Sequence, residues 1–336
     1  MNRLAKIVLP LAALVLAPLP GGAEPVRTSF DILTGSAAGN YFPVGELIAR
    51  VISHPQGLGR CERQAVCAPP GIIVSARTSG GAVANVMAVN SGAAASGLAQ
   101  APVLAEAVKG QGPFRKAGPQ KHIRVMADLF AEPVQLVVGS KIAGLSALRG
   151  KKIAVGNPGS GDDAIATAIL GASGVRAGRI IREGPDTAAG QFAAGKLDAF
   201  FFLGEAPAPA IADLVTRGDA KLLPLGGAMR VKLLVRIAGL EAATIPAGSY
   251  RGVGTIETVS ARTLWIANDA APASTVYGIV RALFDPANRP VLTQGFRPAP
   301  EIRLGGSAAA GTVPVHPGAM QFYREAGMLP PARPPH

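Results

Sequence analysis

At 336 residues, 49% of them apolar and 16% charged, the chain is long and apolar enough to build two globular units with their own cores, which excludes a disordered or low-complexity protein. Its formal charge of +12 is scattered, and aromatics make up only 5%, so no basic stripe interleaved with stacking rings marks a nucleic-acid surface. Two cysteines and four dispersed histidines supply no ligand set for a metal knuckle.

The chain opens on Arg3 and Lys6, then an apolar run from Ile7 to Pro20, then the small residues Gly21 to Ala23. This predicts a secretory signal over 1–23, cleaved near Ala23, and therefore export to the periplasm. The run is short and broken by prolines, unlike an anchor, and no cysteine stands at the cut to take a lipid. The mature chain would begin at Glu24, with a net charge of about +10. In an oxidising compartment Cys61 and Cys67 are expected to pair in a disulfide that closes a small loop.

Strand and helix patterns then alternate. FDILTG reads as a strand, and Pro43 opens a helix with Val44, Leu47, Ile48, Val51 and Ile52 on one face. GIIVSA is a strand, GAVANVMAVNSG a helix closed by Gly92, SGLA a short strand and PVLAEAVKG a helix. IRVMADLF and VQLVV read as two apolar strands separated by Glu132-Pro133. LSALRG gives a short helix, KKIAVG a strand, and GSGDDAIATAIL a turn leading into a helix. TAAGQFAAG, PAPAIADLV, ASTVYGIVRALF and HPGAMQFYREAG follow as helices; LDAFFFLG, KLLPL and TVSARTLWIA follow as strands. Regular alternation of this kind predicts an α/β protein with mainly parallel sheets.

Two stretches share one grammar. ILTGSAAGNYFPVGELIARVI and IAVGNPGSGDDAIATAIL are each a strand, a Gly/Ser/Asn turn and an amphipathic helix. Two such units predict two similar lobes, each offering a helix N-terminus at the carboxyl edge of its sheet, where open α/β sheets bind ligands. Helix N-termini attract carboxylates and phosphates. Neither turn fits a Walker or dinucleotide fingerprint, and each taken alone is also compatible with an ordinary tight connection. Asp162 and Asp163 lie in the first turn of their helix, either as partners of the helix dipole or, for one of them, facing an ammonium group on an amino-acid-like ligand. No Gly-x-Ser-x-Gly elbow or His-Glu-x-x-His motif occurs. Glu205 is the one candidate base and reads equally as a polar contact at a strand end. The chain is therefore expected not to be an enzyme and to hold no cofactor or metal.

Seven ordered stretches together resemble the TAXI-type substrate-binding proteins of tripartite (TRAP) transporters: TGSAAGNYFPVGELIARVI, RTSGGAVANV, AEPVQLVV, LSALRGKKIAVGNPGSG, AAGKLDAFFFLGEAPAPAI, ATIPAGSYRG and VHPGAMQFYREAG. The resemblance covers essentially the whole mature chain. It implies a two-lobed, type II-like periplasmic-binding-protein fold, each lobe a mainly parallel sheet flanked by helices, with the ligand cleft between lobes. It also implies a small anionic or zwitterionic ligand (a dicarboxylate, keto acid or acidic amino acid) and a membrane-embedded TRAP permease as partner. The expected division is 24–130 plus 250–336 for the first lobe and 131–249 for the second. Expected ligand contacts are Ser36, Gly39, Asn40, Tyr41, Thr78, Ser79, Gln100, Asn157, Ser160, Gly161, Asp162, Phe202 and Glu205. The sequence departs from the family at the cleft: Ala101-Pro102 follow Gln100 where Ser-Asp is usual, an earlier Asp is absent, and Asp162 stands where Thr is common. Ligand identity therefore does not carry over. Delivery to an ABC permease or to a sensor kinase, and an exported hydrolase, are the alternatives.

Overall fold

The structure, a computed structural model, describes residues 28–37, 39–53, 67, 69, 71–293, 299–302, 304 and 313–328. The expected signal and Cys61 lie outside the described residues; Cys67, the expected partner of Cys61, is buried. No helix among the described residues is long and apolar enough to cross a membrane.

In chain order, β1 (Thr28–Leu33), α1 (Tyr41–Ser53), β2 (Ile72–Arg77), α2 (Ala82–Asn90), β3 (Ser96–Gln100) and α3 (Ala101–Lys109) alternate as expected. The long strand β4 (Ile123–Gly139) follows. Next come β5 (Lys152–Ala154), α4 (Gly161–Ser173), β6 (Arg179–Ile181), α5 (Pro185–Ala193), β7 (Ala199–Leu203), α6 (Pro209–Thr216), β8 (Ala220–Leu223), α7 (Gly227–Arg236) and β9 (Leu240–Ile245). A second long strand, β10 (Ile256–Asn268), leads to α8 (Ala273–Leu283), α9 (Arg289–Thr293) and α10 (Pro317–Glu325).

The first sheet has the order β2-β1-β3-β10-β4, with β1, β2 and β3 parallel and β10 antiparallel to β3 and β4; β9 also pairs antiparallel with the first half of β10. The second has the order β6-β5-β7-β4-β8, with β5, β6 and β7 parallel and β4 antiparallel to β7 and β8. The two sheets thus repeat one plan, two outer strands flanking the first and an antiparallel strand inserted before the last. Strand β4 belongs to both: Ile123–Pro133 pairs with β10 in the first sheet, and Val134–Gly139 pairs with β7 and β8 in the second.

The expected break at Glu132-Pro133 is not there. Pro133 has no N–H to offer a ladder, but its carbonyl accepts from the Gly204 amide at 3.1 Å, so the strand passes through it unbroken. The helix expected to open at Pro43 starts two residues earlier, at Tyr41. Four elements, β6, α7, β9 and the five-residue α9, had no expectation attached. In α7 Leu233 is the one buried residue, Met229 and Leu234 are partly buried beside it, and Arg230, Lys232 and Arg236 interrupt the apolar run; β6 spans three residues and β9 is rich in alanine.

The first core centres on Trp265, which is fully buried, meets Phe30 edge-on at 6.5 Å and donates its indole N–H to Ser96 Oγ at 2.9 Å. The second sheet packs Val137, Phe200, Phe192, Ile211 and Leu214 around Tyr250. The Tyr250 hydroxyl donates to Gln135 Oε1 at 2.5 Å and accepts from the Ala208 amide at 2.9 Å. Gln135 in turn donates to the carbonyls of Gly204 (2.9 Å) and Glu205 (3.1 Å), so one buried network pins the loop between β7 and α6 to β4. Tyr250→Phe leaves Gln135 Oε1 and the Ala208 N–H without partners inside the core. Urea unfolding is expected to show a loss of about 1–3 kcal/mol; an unchanged midpoint would mean that this network contributes nothing to the loop's position.

Candidate functional site

The carboxyl ends of β1, β3, β5 and β7 converge, and the turns that leave them face one another. After β1, the turn through Ser36, Gly39 and Asn40 delivers the chain to the N-terminus of α1. Asn85, fully buried in α2, holds this corner: its Nδ2 donates to the carbonyls of Thr34 (2.7 Å) and Leu98 (2.8 Å), and its Oδ1 accepts from Ser79 Oγ at 2.6 Å. Ser79 Oγ then accepts from the Gly81 amide at 3.0 Å, which shapes the entry to α2.

After β5, Gly156 takes φ +109°, and a Cβ there would fall 2.6 Å from Asp162 Cβ. Only glycine accommodates both conditions. Ser160 caps α4, its Oγ accepting from the Asp163 amide at 3.1 Å. The two aspartates diverge. Asp163 turns outward to Arg182 at 2.9 Å, while Asp162 turns inward.

The turns from the two sheets touch. The Val83 amide of α2 donates to Gly159 O at 3.1 Å, Asn40 Nδ2 donates to Leu203 O at 3.0 Å, and Gly161 is packed so closely on Gln100 that a Cβ would lie 1.8 Å from its Oε1. Between them lies a cavity of about 380 Å³, within the range of small-molecule sites. The first turns of α1, α2, α4, α5 and α6 reach its wall, and Phe200, Phe202, Leu203, Ala208 and Ile211 make an apolar side.

Its polar side is acidic. Among the described residues, the titratable carboxyls that line it are Glu132, Asp162 and Asp186, and no lysine, arginine or histidine does. Glu132 is 2% exposed; its Oε2 accepts from Gln100 Nε2 at 2.8 Å and from Thr263 Oγ1 at 2.9 Å. Burial, and then the charge of Asp162, push its pKa up to about 8, against the two hydrogen bonds that favour the anion. Burial likewise raises Asp162 to about 7, opposed by the Leu203 amide and its own. Tyr41 is held well above the ordinary phenol value, by burial first and the charge of Glu132 second. Its hydroxyl lies near Glu132 and Thr263 but outside good hydrogen-bond geometry to either, and Gln100 Oε1 has no hydrogen-bond partner.

Of the residues expected at the ligand, Ser36, Gly39, Asn40, Tyr41, Ser79, Gln100, Asn157, Ser160, Gly161, Asp162 and Phe202 line this cavity. Thr78 is exposed and does not, and Glu205 lies outside the lining, its carbonyl taken by Gln135. Several polar atoms expected to bind a ligand already have structural partners: Ser160 Oγ caps α4, Ser79 Oγ bonds Asn85, and Asn40 Nδ2 joins the two sheets. Glu132, Asp186 and the 208–211 segment line the cavity without having been expected there. Glu132 leaves one signal in the sequence, a carboxylate set inside an apolar run, which reads there as a break between two strands.

The sequence model of the NMT1-like family matches residues 32–327. A solved structure described as a periplasmic transporter superposes at TM-score 0.51 and 14% identity, over 91% of this chain and 94% of its own. The periplasmic binding protein BugD superposes at TM-score 0.50 and 14% identity, over 91% and 95%. At such identities the likeness is one of fold, the two-lobed α/β architecture.

Proposed function

The chain belongs to the NMT1-like family, and on that premise we propose that it is an exported solute-binding receptor that captures a small anionic or zwitterionic molecule between its lobes and releases it unaltered to a membrane permease. The observation that carries this reading is the convergence of turns from two like sheets on one cavity of about 380 Å³, with the sheets joined through β4. Closure of one lobe on the other encloses a guest, provided the guest interacts better with the closed arrangement than with the open one. The hydroxyls of Ser79 and Ser160 serve as clamp and cap, which supports a holding role over nucleophilic chemistry.

Calorimetry and thermal shift against dicarboxylates, keto acids and amino acids test the receptor reading. A solute present at 100 times its Kd is expected to add about 2.7 kcal/mol of stability. Saturable binding of no small anion or zwitterion would overturn the reading. The likeness to TAXI-type receptors in seven ordered stretches supports a TRAP permease as recipient. Uptake into vesicles that requires an ion gradient and not ATP is the expected result, and ATP-dependent uptake would assign an ABC permease. Export and the Cys61–Cys67 disulfide belong to the same proposal. Protein recovered from the periplasm is expected to begin at Glu24 and to yield a cross-linked peptide under non-reducing conditions.

A further inference from the structure

The cavity faces its guest with carboxyls and bare acceptors. Glu132 and Asp162 are both turned into it, and the adjacent cation on β10, Arg262, is committed to Asp128 (2.8 Å) and Glu301 (3.3 Å) on the other side. Gln100, 2% exposed, keeps Oε1 without a hydrogen-bond partner while its Nε2 serves Glu132, and the buried Tyr41 hydroxyl is likewise unpartnered. A buried acceptor left unmatched costs free energy that a guest bearing N–H donors recovers. The α4 N-terminus, one of those that could hold a carboxylate, is answered in part from within, the Asp163 amide by Ser160 Oγ, and the Asp162 carboxyl stands in its first turn. A second carboxylate from a guest would meet two acids there and no counter-charge.

Resting on the receptor reading above, we propose that the solute carries a protonated nitrogen seated against Glu132 and Asp162, with Gln100 Oε1 accepting a further N–H. This narrows the ligand class to amino compounds, zwitterionic or cationic, and sets dicarboxylates and keto acids aside. The groups that titrate against Glu132 are Tyr41 from α1 and Asp162 from α4; Asp186 from α5 also lines the cavity. Because the carboxyls must be ionised to hold a cation, binding strengthens as pH rises through their range, about 7 to 8.

The test is calorimetry of the mature protein with matched probes: the common α-amino acids, their 2-keto analogues, C4 and C5 dicarboxylates, and short diamines. An amino compound is expected to bind at least about 100-fold more tightly than its keto analogue, a difference typical of a buried charge pair losing one member. Glu132→Gln, nearly isosteric, is expected to weaken that compound by a similar factor while the protein still melts cooperatively, and Asp162→Asn provides a second variant should the first fail to fold. Affinity for the amino compound is expected to rise between about pH 6 and pH 8 in the wild type and to rise less steeply in Glu132→Gln, where Asp162 alone still titrates. Tighter binding of keto acids or dicarboxylates would overturn the nitrogen inference and leave the receptor standing. Binding of no probe would overturn both. Equal stabilisation by calcium chloride alone would give the carboxyls to a metal and overturn the inference.

Discussion

Gly161→Leu is expected to abolish measurable solute binding, a loss of at least about 100-fold, while the protein remains folded. Position 161 is the first residue of α4, and its backbone asks nothing special of a side chain. Leucine is a better helix former than glycine, so the local cost is small. The obstacle is across the interface: even a Cβ would lie 1.8 Å from Gln100 Oε1 and 2.5 Å from its Cδ. The added side chain must displace Gln100 from Glu132 or hold the two lobes apart, and either change dismantles the polar side of the cavity. Gly161→Ala is expected to give a smaller loss of the same sign. Gly171→Ala on the same helix, where nothing lies within 4 Å, is expected to leave affinity unchanged. Wild-type affinity in the Gly161→Leu protein would place the solute elsewhere.

The second large effect is on stability against pH, with no solute present. Glu132 and Asp162 bind their protons more tightly in the folded chain than in the unfolded one, with pKa values near 8 and 7 against ordinary values of 4.5 and 3.8. Between those limits the native state holds protons that the unfolded state has released. Stability is therefore fully present below about pH 4 as far as these two groups are concerned, and falls as pH rises through 7 and 8. The slope approaches about 1.4 kcal/mol per pH unit for each group, so a loss of several kcal/mol is expected between about pH 5 and pH 8. Urea melts at intervals across that range measure it. Glu132→Gln is expected to remove a large part of the slope and to raise stability at pH 8, because a neutral amide replaces a carboxylate ionised in a dry site. A flat profile in both proteins would mean that the carboxyls are solvated.

How much was legible in the sequence follows from what kind of signal each feature leaves. The α1 face of Val44, Ile48, Val51 and Ile52 and the fully apolar AFFFL strand are periodic, and periodicity reports burial directly. The two glycine turns announced themselves because close approach of backbone needs residues without side chains, and both reach the cavity wall. Helix α7 was silent because it fully buries one leucine and its basic residues break up the apolar run. Glu132 was misread for a different reason. A Glu-Pro pair in an apolar run looks like punctuation when only neighbours in sequence are considered. Its meaning depends on Gln100, Thr263 and Asp162, which lie 32, 131 and 30 residues away and meet it only once both sheets are assembled. The same holds for Ser160, Ser79 and Asn40, whose side chains offered hydrogen bonds to a ligand on paper and are spent on the scaffold in space.

Strand β4 carries one more implication. Glu132 sits where that strand leaves the first sheet for the second, one residue before Pro133. On the receptor mechanism proposed above, a residue near the pivot travels little as the lobes swing, so the Glu132 carboxyl keeps its place while the jaws close. First encounter and final commitment then fall to different residues. Changes at Glu132 should slow arrival as well as hasten escape, whereas changes on the far jaw, at Phe202 or Ile211, should shorten residence time and leave the rate of arrival nearly untouched.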